Sequence, residues 1–205
     1  IAVAEKDCLL KAPDMYMEKI AIGPSFPKNL VDLDYSIEKN IKSLADAKNT
    51  SPENLTACVL QRPRHDHIVK SLRSLNVNIN FISDGDVSGV ISVAYPRSKI
   101  DIYIGIGGGP EGVLAAAALK CLGCQMQTRL KFYTEEEKER VKKMGIKDLN
   151  IKYTINDMVK GDVIFCATGV TDGDLVKGIK NLDEYFESET FVLHESSKTN
   201  DIFKN

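Results

Sequence analysis

The sequence predicts an α/β fold in which a mostly parallel sheet is flanked by helices on both faces. Short apolar runs of strand length alternate along the 205 residues with segments whose apolar side chains recur at helical spacing. Alternation of strands and helices at this spacing is typical of parallel sheets covered by helices. The composition agrees with a folded domain, because 43% of the residues are apolar and 27% are charged.

The first half of the chain predicts most of this alternation. Apolar runs predict strands at residues 1–4, 17–22, 57–60, 77–82 and 100–106. Helical spacing predicts one helix through Ile37, Ile41 and Leu44, with Asp34 or Ser36 as its N-cap, a second through Ile68, Leu72 and Leu75, and a third over residues 87–94.

The second half predicts two longer helices and three further strands. An alanine-rich helix covers residues 110–122 and ends at Gly123. A charged surface helix begins with a capping box between Thr134 and Glu137 and ends at Gly145. Strands follow at residues 151–154, 163–167 and 191–193, with short helices between them.

Charge and hydropathy exclude several classes of protein. The formal net charge is −2, from 27 basic and 29 acidic residues, so no overall basic field exists to bind nucleic acid or an anionic membrane. No apolar run approaches the roughly 18–20 residues of a membrane-spanning helix. Glu5, Lys6 and Asp7 interrupt the early apolar stretch that a secretory signal would need. We therefore expect a cytoplasmic protein with neither a nucleic-acid nor a membrane partner.

The five cysteines lie among apolar neighbours, and their odd number argues against a disulfide framework. Cys121 and Cys124 form a C-x-x-C at the end of a predicted helix, whereas thioredoxin chemistry needs the first cysteine at a helix N-terminus. We interpret the cysteines as buried, reduced thiols, and a redox or zinc role for the pair is the less favoured alternative.

Four predicted strands end in loops of unusual composition, and ligands of α/β sheets bind at such ends. The first loop is Gln61-Arg62-Pro63-Arg64-His65, in which Pro63 stiffens a turn that carries two guanidinium groups. Arginine binds phosphate oxygens in bidentate fashion, so a phosphate site is favoured over a solvated helix start. We interpret His65 and His67, which flank Asp66, as surface helix residues rather than metal ligands, because residues i and i+2 do not face one another.

The second loop carries two carboxylates, in Asp84-Gly85-Asp86. These carboxylates could accept hydrogen bonds from sugar hydroxyls or bind a divalent cation. An Asp-Gly turn that caps the next helix explains one of them equally well.

The third loop, residues 105–112, reads Gly-Ile-Gly-Gly-Gly-Pro-Glu-Gly and gives the strongest signal. Glycines before a helix let backbone N–H groups approach an anion closely. Glu111 would repel a bound phosphate unless a divalent cation lay between the two, so the loop predicts metal-assisted phosphate chemistry, with a tight turn as the alternative. It is not a Rossmann fingerprint, because Pro110 replaces the third glycine, and it is not a P-loop, because no Gly-Lys follows.

Two other segments carry weaker signals. The fourth loop, residues 167–174, predicts a turn rather than a phosphate site, because no cation accompanies it. Tyr16 has the local pattern of a core or edge aromatic.

Five runs of the sequence resemble, in order, the class II (GlpX-type) fructose-1,6-bisphosphatases. They are APDMYMEK at 12–19, RPRH at 62–65, DGDV at 84–87, GIGGGPEGV at 105–113 and ATGVTDGDL at 167–175, so the resemblance covers essentially the whole chain. It implies the layered α/β sandwich of the lithium-sensitive, metal-dependent sugar phosphatases. It also implies hydrolysis of the 1-phosphate of fructose 1,6-bisphosphate to fructose 6-phosphate, a step of gluconeogenesis and glycerol metabolism. Some photosynthetic members also hydrolyse sedoheptulose 1,7-bisphosphate.

Carried over position by position, the resemblance implies a substrate site and one metal ligand. The substrate contacts would come from Tyr16, from Arg62, Pro63 and Arg64 near the 6-phosphate, from Asp84, Gly85 and Asp86 near the sugar hydroxyls, and from Gly108; Glu111 would bind Mg²⁺ or Mn²⁺. Many members have Lys at the position of Arg62 and Ala at that of Gly109.

The remaining metal carboxylates and the catalytic threonine of the family lie in an N-terminal lobe, in motifs of the Gly-Glu-Gly-Glu and Asp-Pro-x-Glu-Gly-Thr kind that this sequence lacks. We therefore expect residues 1–205 to be the substrate-binding lobe of a longer homo-oligomeric enzyme, truncated at the N-terminus and slightly at the C-terminus. Such a lobe would contain no catalytic residue, would be nearly inactive alone and would expose an unpaired sheet edge. Two alternatives stay open: a non-catalytic sugar-phosphate-binding module, and a nucleotide-dependent enzyme whose glycine loop binds a pyrophosphate.

Overall fold

Strands and helices alternate along the chain in a computed structural model that describes residues 1–204. The strands are β1 (Ala2–Ala4), β2 (Tyr16–Ile22), β3 (Thr56–Leu60), β4 (Asn78–Ile82), β5 (Ile102–Gly108), β6 (Gln125–Leu130), β7 (Tyr153–Thr154), β8 (Val163–Thr168), β9 (Lys180–Leu182), β10 (Tyr185–Glu187), β11 (Glu189–His194) and β12 (Thr199–Lys204). The helices are α1 (Ile37–Ala47), α2 (Asp66–Ser74), α3 (Asp86–Ile91), α4 (Gly109–Cys121), α5 (Glu135–Lys143) and α6 (Ile155–Met158). Within residues 1–204, no helix is long and apolar enough to cross a membrane.

The larger of the two main sheets has six strands in the order β4-β3-β5-β2-β6-β7. β3, β4, β5 and β6 run in one direction, and β2 and β7 run against them. Four of the six strands therefore point the same way, which confirms the predicted α/β fold with a mostly parallel sheet. Because β2 is antiparallel to β5, the first residue of β2, Tyr16, pairs with the last residue of β5, Gly108.

Helices cover both faces of this sheet, as predicted. α1 and α2 bury Ile41 and Leu72 against one face, together with strand residues such as Ile20. α3, α4 and α6 pack on the other face, where the alanines 115–117 of α4 are fully buried. Because alanine side chains are small, α4 also packs closely against a second sheet on its far side. The result is a layered α/β sandwich.

The second sheet is antiparallel, with the strand order β1-β8-β11-β12. Strands at β1, β8 and β11 are predicted from the sequence, whereas β6, β12 and the separate β9-β10 hairpin are not. The short helix expected between residues 167 and 191 is wrong, because this segment forms a loop and that hairpin. Within the described chain β1 pairs with β8 alone, so its outer edge is unpaired.

Two helix starts confirm the predicted capping. Ser36, one of the two candidate N-caps of α1, accepts a hydrogen bond from the backbone N–H of Lys39. The capping box of α5 joins Thr134 and Glu137 in both directions. Both caps satisfy backbone donors that a helix leaves without partners at its N-terminus.

Candidate functional site

Four segments of the chain meet at one edge of the six-stranded sheet. β3, β4 and β5 end at this edge, and antiparallel β2 begins there. The adjoining loops bring together all of the site residues that the resemblance implies: Tyr16, Arg62, Pro63, Arg64, Asp84, Gly85, Asp86, Gly108 and Glu111. The contacts described below link these residues from one loop to the next.

Arg64 and Tyr16 form the centre of this edge. The guanidinium carbon of Arg64 lies 4.8 Å from the centroid of the Tyr16 ring, and its Nε donates a hydrogen bond of 3.0 Å to the carbonyl of Ile106. The ring of Tyr133 packs edge-on against Tyr16 at 5.8 Å between centroids. The stack holds the guanidinium by cation–π attraction, while 42% of Tyr16 stays exposed. These surroundings are compatible with a role of Tyr16 in the site. The local sequence pattern did not indicate that role.

Arg62 connects the first loop to the second. Its Nη1 donates hydrogen bonds of 2.8 Å to the carbonyls of Gln61 and Ser83. Pro63 begins a short 3-10 turn that leads into α2. Among residues 1–204, the other N–H groups of Arg62 have no hydrogen-bond partner, so they are available to an anion.

His65 is buried, with 1% of its surface exposed, so its interpretation as a surface residue is wrong. Its Nε2 accepts a hydrogen bond of 2.8 Å from the backbone N–H of Ile106, and its Nδ1 lies 2.5 Å from the carbonyl of Leu60. The backbones of β3 and β5 pair at Ala57 with Ile102 and at Cys58 with Tyr103, and beyond these pairs the imidazole bridges the two strands. Burial is the main cause that lowers the pKa of His65, which favours the neutral ring that this bridge requires. His67 is exposed, as expected.

The second loop holds its two carboxylates in different environments. Gly85 adopts a left-handed conformation, with φ of +80°, which an L side chain rarely adopts. Asp84 is exposed and accepts a hydrogen bond from the Gly85 N–H. Asp86, in contrast, forms an ion pair with Lys19 and accepts a hydrogen bond from the hydroxyl of Tyr103.

Lys19 and Tyr103 are the two site residues that sequence reasoning missed. Both are fully buried, on β2 and β5 respectively. A signal for Lys19 was present in the sequence: it is a lysine within an apolar strand, on the same face as Met17 and Ala21. Its partner Asp86 is 67 residues away in the sequence, and no local sequence pattern indicates that the two residues pair.

At most glycines of the third loop, neighbouring protein atoms occupy the space that a side chain would need. A Cβ on Gly107 would collide with the carboxylate of Asp86, and one on Gly112 would lie 2.8 Å from the sulfur of Met17. The N–H of Gly109 donates to the carbonyl of Met15 at 2.7 Å, so this group is not free to bind an anion. Packing therefore explains a larger part of this motif than the expected anion cradle does.

Glu111 lies exposed in the first turn of α4, with its carboxylate folded back over Gly108. No hydrogen bond or ion pair engages this carboxylate within residues 1–204. The same residues contain no cluster of three or more His, Cys, Asp or Glu that could hold a metal ion. Mg²⁺ and Mn²⁺ take several oxygen ligands, so residues 1–204 do not by themselves complete the ligand set of such an ion.

The remaining sequence signals are structural. In and after the fourth loop, the Gly169 N–H donates to the backbone carbonyl of Glu189 and the Gly178 N–H donates to the carboxylate of Asp172, so these contacts hold the segment by packing against the chain. All five cysteines are free. Burial raises the pKa of Cys121 to about 11 and that of Cys124 to about 12, so both favour the thiol form rather than a reactive thiolate.

Comparisons with known proteins identify the family of this chain. The family model described as bacterial fructose-1,6-bisphosphatase, glpX-encoded, matches residues 1–205. The chain is 39% identical to the fructose-1,6-bisphosphatase class 2 of Haemophilus influenzae and 37% identical to fructose-1,6-bisphosphatase 1 class 2 of Escherichia coli, over 97% of this chain and 63% of each relative. It is 36% identical to a D-fructose 1,6-bisphosphatase class 2/sedoheptulose 1,7-bisphosphatase of Synechococcus, over 97% of this chain and 61% of that protein. The chain thus spans less than two thirds of the length of these relatives. On this match, the chain belongs to the glpX-encoded family of bacterial fructose-1,6-bisphosphatases.

Proposed function

We propose that residues 1–205 form the substrate-binding lobe of a phosphatase that releases the 1-phosphate of fructose 1,6-bisphosphate. The observation that carries this proposal is the contact between Tyr16 and its two neighbours. Tyr16 pairs with Gly108 in the sheet and lies under Arg64, so it joins the glycine loop to the arginine loop. Membership of the family supports the reaction, since the relatives from H. influenzae and E. coli are named for it.

In this proposal Arg62 and Arg64 anchor the 6-phosphate. Each guanidinium is fixed at one nitrogen by a backbone carbonyl, Ser83 for Arg62 and Ile106 for Arg64. Their other N–H groups can donate charge-assisted hydrogen bonds to phosphate oxygens. The ring of Tyr16 lies against the guanidinium of Arg64, and the hydroxyl of Tyr16 can donate a further bond.

The carboxylates of the second loop accept hydrogen bonds from the sugar hydroxyls in this proposal. The left-handed turn at Gly85 places Asp84 in solvent and Asp86 against the buried edge of β5. Gly108 has no side chain, and the Glu111 carboxylate lies over it, so in this proposal Gly108 meets the substrate beside that carboxylate. These contacts orient the sugar so that the 1-phosphate can lie near Glu111.

We propose Glu111 as one ligand of a divalent cation, Mn²⁺ or Mg²⁺, whose other ligands come from the part of the relatives that this chain does not span. When bound, such an ion would activate a water molecule and stabilise charge on the phosphoryl group. Because the donor set of residues 1–204 is incomplete, the roles derived for this chain are limited to holding and orienting the substrate. We expect the full-length enzyme to be a homo-oligomer, as the resemblance implies, and to be cytoplasmic, as the charge and hydropathy of the sequence predict.

Sedoheptulose 1,7-bisphosphate is a second candidate substrate, which the name of the Synechococcus relative favours. Phosphate release should be measured on the full-length protein with Mn²⁺ and each bisphosphate, and thermal stability should be followed in parallel with NAD and ATP. We expect release from fructose 1,6-bisphosphate. Stabilisation by the sugar phosphate without release would instead indicate a binding module, and stabilisation by the nucleotides alone would indicate a nucleotide-dependent enzyme.

A further inference from the structure

A buried lysine lies directly beneath the candidate site. Lys19 has no exposed surface, and it occupies the middle of β2, between β5 and β6. Burying an ammonium group is strongly unfavourable unless the charge is paired and hydrogen-bonded. The presence of a lysine at this position therefore calls for a specific partner.

The chain leaves a space shaped for this side chain. A Cβ on Gly107 would lie 3.0 Å from Nζ of Lys19, and a Cβ on Gly112 would lie 3.3 Å from its Cε. The ammonium thus lies under the turn between β5 and α4. Its hydrogen-bond acceptor among residues 1–204 is the Oδ2 atom of Asp86.

The other oxygen of Asp86, Oδ1, accepts a hydrogen bond from the hydroxyl of Tyr103. Burial is the main cause that raises the pKa of Tyr103, so its hydroxyl stays protonated and acts as the donor. The Asp86 carboxylate is therefore held at both oxygens. Its side chain keeps 12% of its surface exposed, whereas that of Lys19 has none exposed, so substrate could reach Asp86 but not the lysine.

We propose that Lys19 and Tyr103 are positioning residues that fix the Asp86 carboxylate and compensate its charge beside an anionic substrate. This proposal rests on the proposed function, in which Asp86 accepts hydrogen bonds from the sugar. Two donors hold Asp86 in a single rotamer, so the geometry that meets the sugar is set before binding. The positive charge of Lys19 acts in a water-poor site, where it offsets the repulsion between Asp86 and phosphate groups more effectively than a solvated cation would.

Steady-state kinetics of the full-length protein with fructose 1,6-bisphosphate and Mn²⁺ test the proposal. Asp86→Asn should raise KM about 30-fold, which lies in the usual range for a lost hydrogen bond to a charged group. Tyr103→Phe should raise KM less, about fivefold, because Tyr103 acts on the substrate only through Asp86. Lys19→Met should raise KM at least as much as Tyr103→Phe. Because both residues act through Asp86, neither substitution should raise KM further when it is combined with Asp86→Asn.

Lys120→Met is the matched control. Lys120 lies in the last turn of α4, is largely buried and donates to the backbone carbonyls of Val159 and Gly161. Its removal should lower Tm and leave KM unchanged, which is the behaviour of a purely structural lysine.

The outcomes separate this inference from the proposed function. Inactive wild-type protein would overturn the proposed function, whereas active protein with additive substitutions would overturn the positioning role alone. If Lys19→Met does not fold, Tyr103→Phe carries the test, because it removes one oxygen atom from the same contact. A Tm loss with unchanged KM in Tyr103→Phe would show that the contact is only structural.

Discussion

The candidate site lies where strands of the six-stranded sheet end, a region that we call the binding edge. The binding edge and the small antiparallel sheet contain the same kinds of side-chain contact in different surroundings. Arg64 stacks on Tyr16 at the binding edge, and Arg97 stacks on Tyr95 near the small sheet, at 4.8 and 5.3 Å. Each region also has a histidine that ties a loop to a strand: His65 is buried in the first region, and His194 is partly exposed in the second.

What differs is how each group is held. At the binding edge, Arg64 and His65 form hydrogen bonds with backbone atoms of β5. In the second region, Arg97 has no hydrogen bond or ion pair within residues 1–204, and His194 binds the exposed carboxylate of Asp162 at 2.8 Å. Neither Arg64 nor Arg97 has a carboxylate partner among these residues, so pairing of charge does not distinguish the two arginines. The comparison teaches that attachment to backbone at the strand ends, rather than residue type, distinguishes the candidate site from the second region.

The largest effect is expected on the kcat of a Glu111 variant, and the matching variant of Glu195 is the control. Glu111→Gln should lower kcat about 100-fold at limiting Mn²⁺, with partial recovery at higher metal concentration, because a metal-bound carboxylate supports several kcal/mol of charge stabilisation. Glu195, which lies 4.0 Å from Lys120 beside the small sheet, provides the control. Kinetics of the full-length protein over a Mn²⁺ titration measure both variants. Normal activity of Glu111→Gln at low Mn²⁺ would remove Glu111 from the metal site, and Glu195→Gln should behave as wild type.

The next largest effect is expected on the KM of an Arg64 variant, and the matching variant of Arg97 is the control. Arg64→Ala should raise KM for fructose 1,6-bisphosphate about 30-fold, since a charge-assisted hydrogen bond to phosphate contributes about 2 kcal/mol. Arg97→Ala removes the same kind of stack and should leave KM unchanged. Equal KM values for wild type and Arg64→Ala would contradict the role of Arg64 as a phosphate anchor.

Neither arginine–tyrosine stack was predicted from the sequence, although much of the fold was. Periodicity predicted α1 and α2 because each buries an apolar face. Apolar runs predicted α3 and α4, and the capping box predicted α5. β12 and the β9-β10 hairpin were missed because most of their side chains are exposed. The arginine, Asp-Gly-Asp and glycine loops were found because each signal lies within a few consecutive residues.

The remaining parts of the site depend on long-range pairing. Tyr16 reaches the site because β2 runs antiparallel to β5, and a local pattern does not specify strand direction. His65 is buried where it bridges Leu60 of β3 and Ile106 of β5, and Lys19 pairs with a residue on another element. Only the resemblance to a family placed Tyr16 in the site, and nothing in the sequence placed Tyr103 there.

A smaller effect is expected at His65, and it depends on pH. Glutamine offers a donor and an acceptor without titrating, so His65→Gln should reduce the free energy of unfolding by about 1–2 kcal/mol at pH 8. The pKa of His65 is lowered in the folded state, so its contribution is fully present above the ordinary value of 6.5 and is lost as pH falls through the folded value. Denaturant unfolding at pH 8 and pH 5 should therefore show a narrower gap between wild type and variant at pH 5. A gap that widens in acid would reverse this assignment, and exposed His67→Gln is the control.

The smallest effect is expected at the partly exposed histidine. His194→Gln removes a hydrogen bond to the carboxylate of Asp162, which still accepts hydrogen bonds from the N–H groups of Val163 and Ser196. The hydrogen bond with His194 is the main cause that lowers the pKa of Asp162 to about 2, so the contact contributes at neutral pH and is lost as pH falls below the ordinary value of 3.8. Because both side chains reach solvent, Tm should fall by only about 2 °C. A loss as large as that of His65→Gln would show that exposure does not distinguish the two histidines, and the contrast between the two regions would then have to rest on the arginines alone.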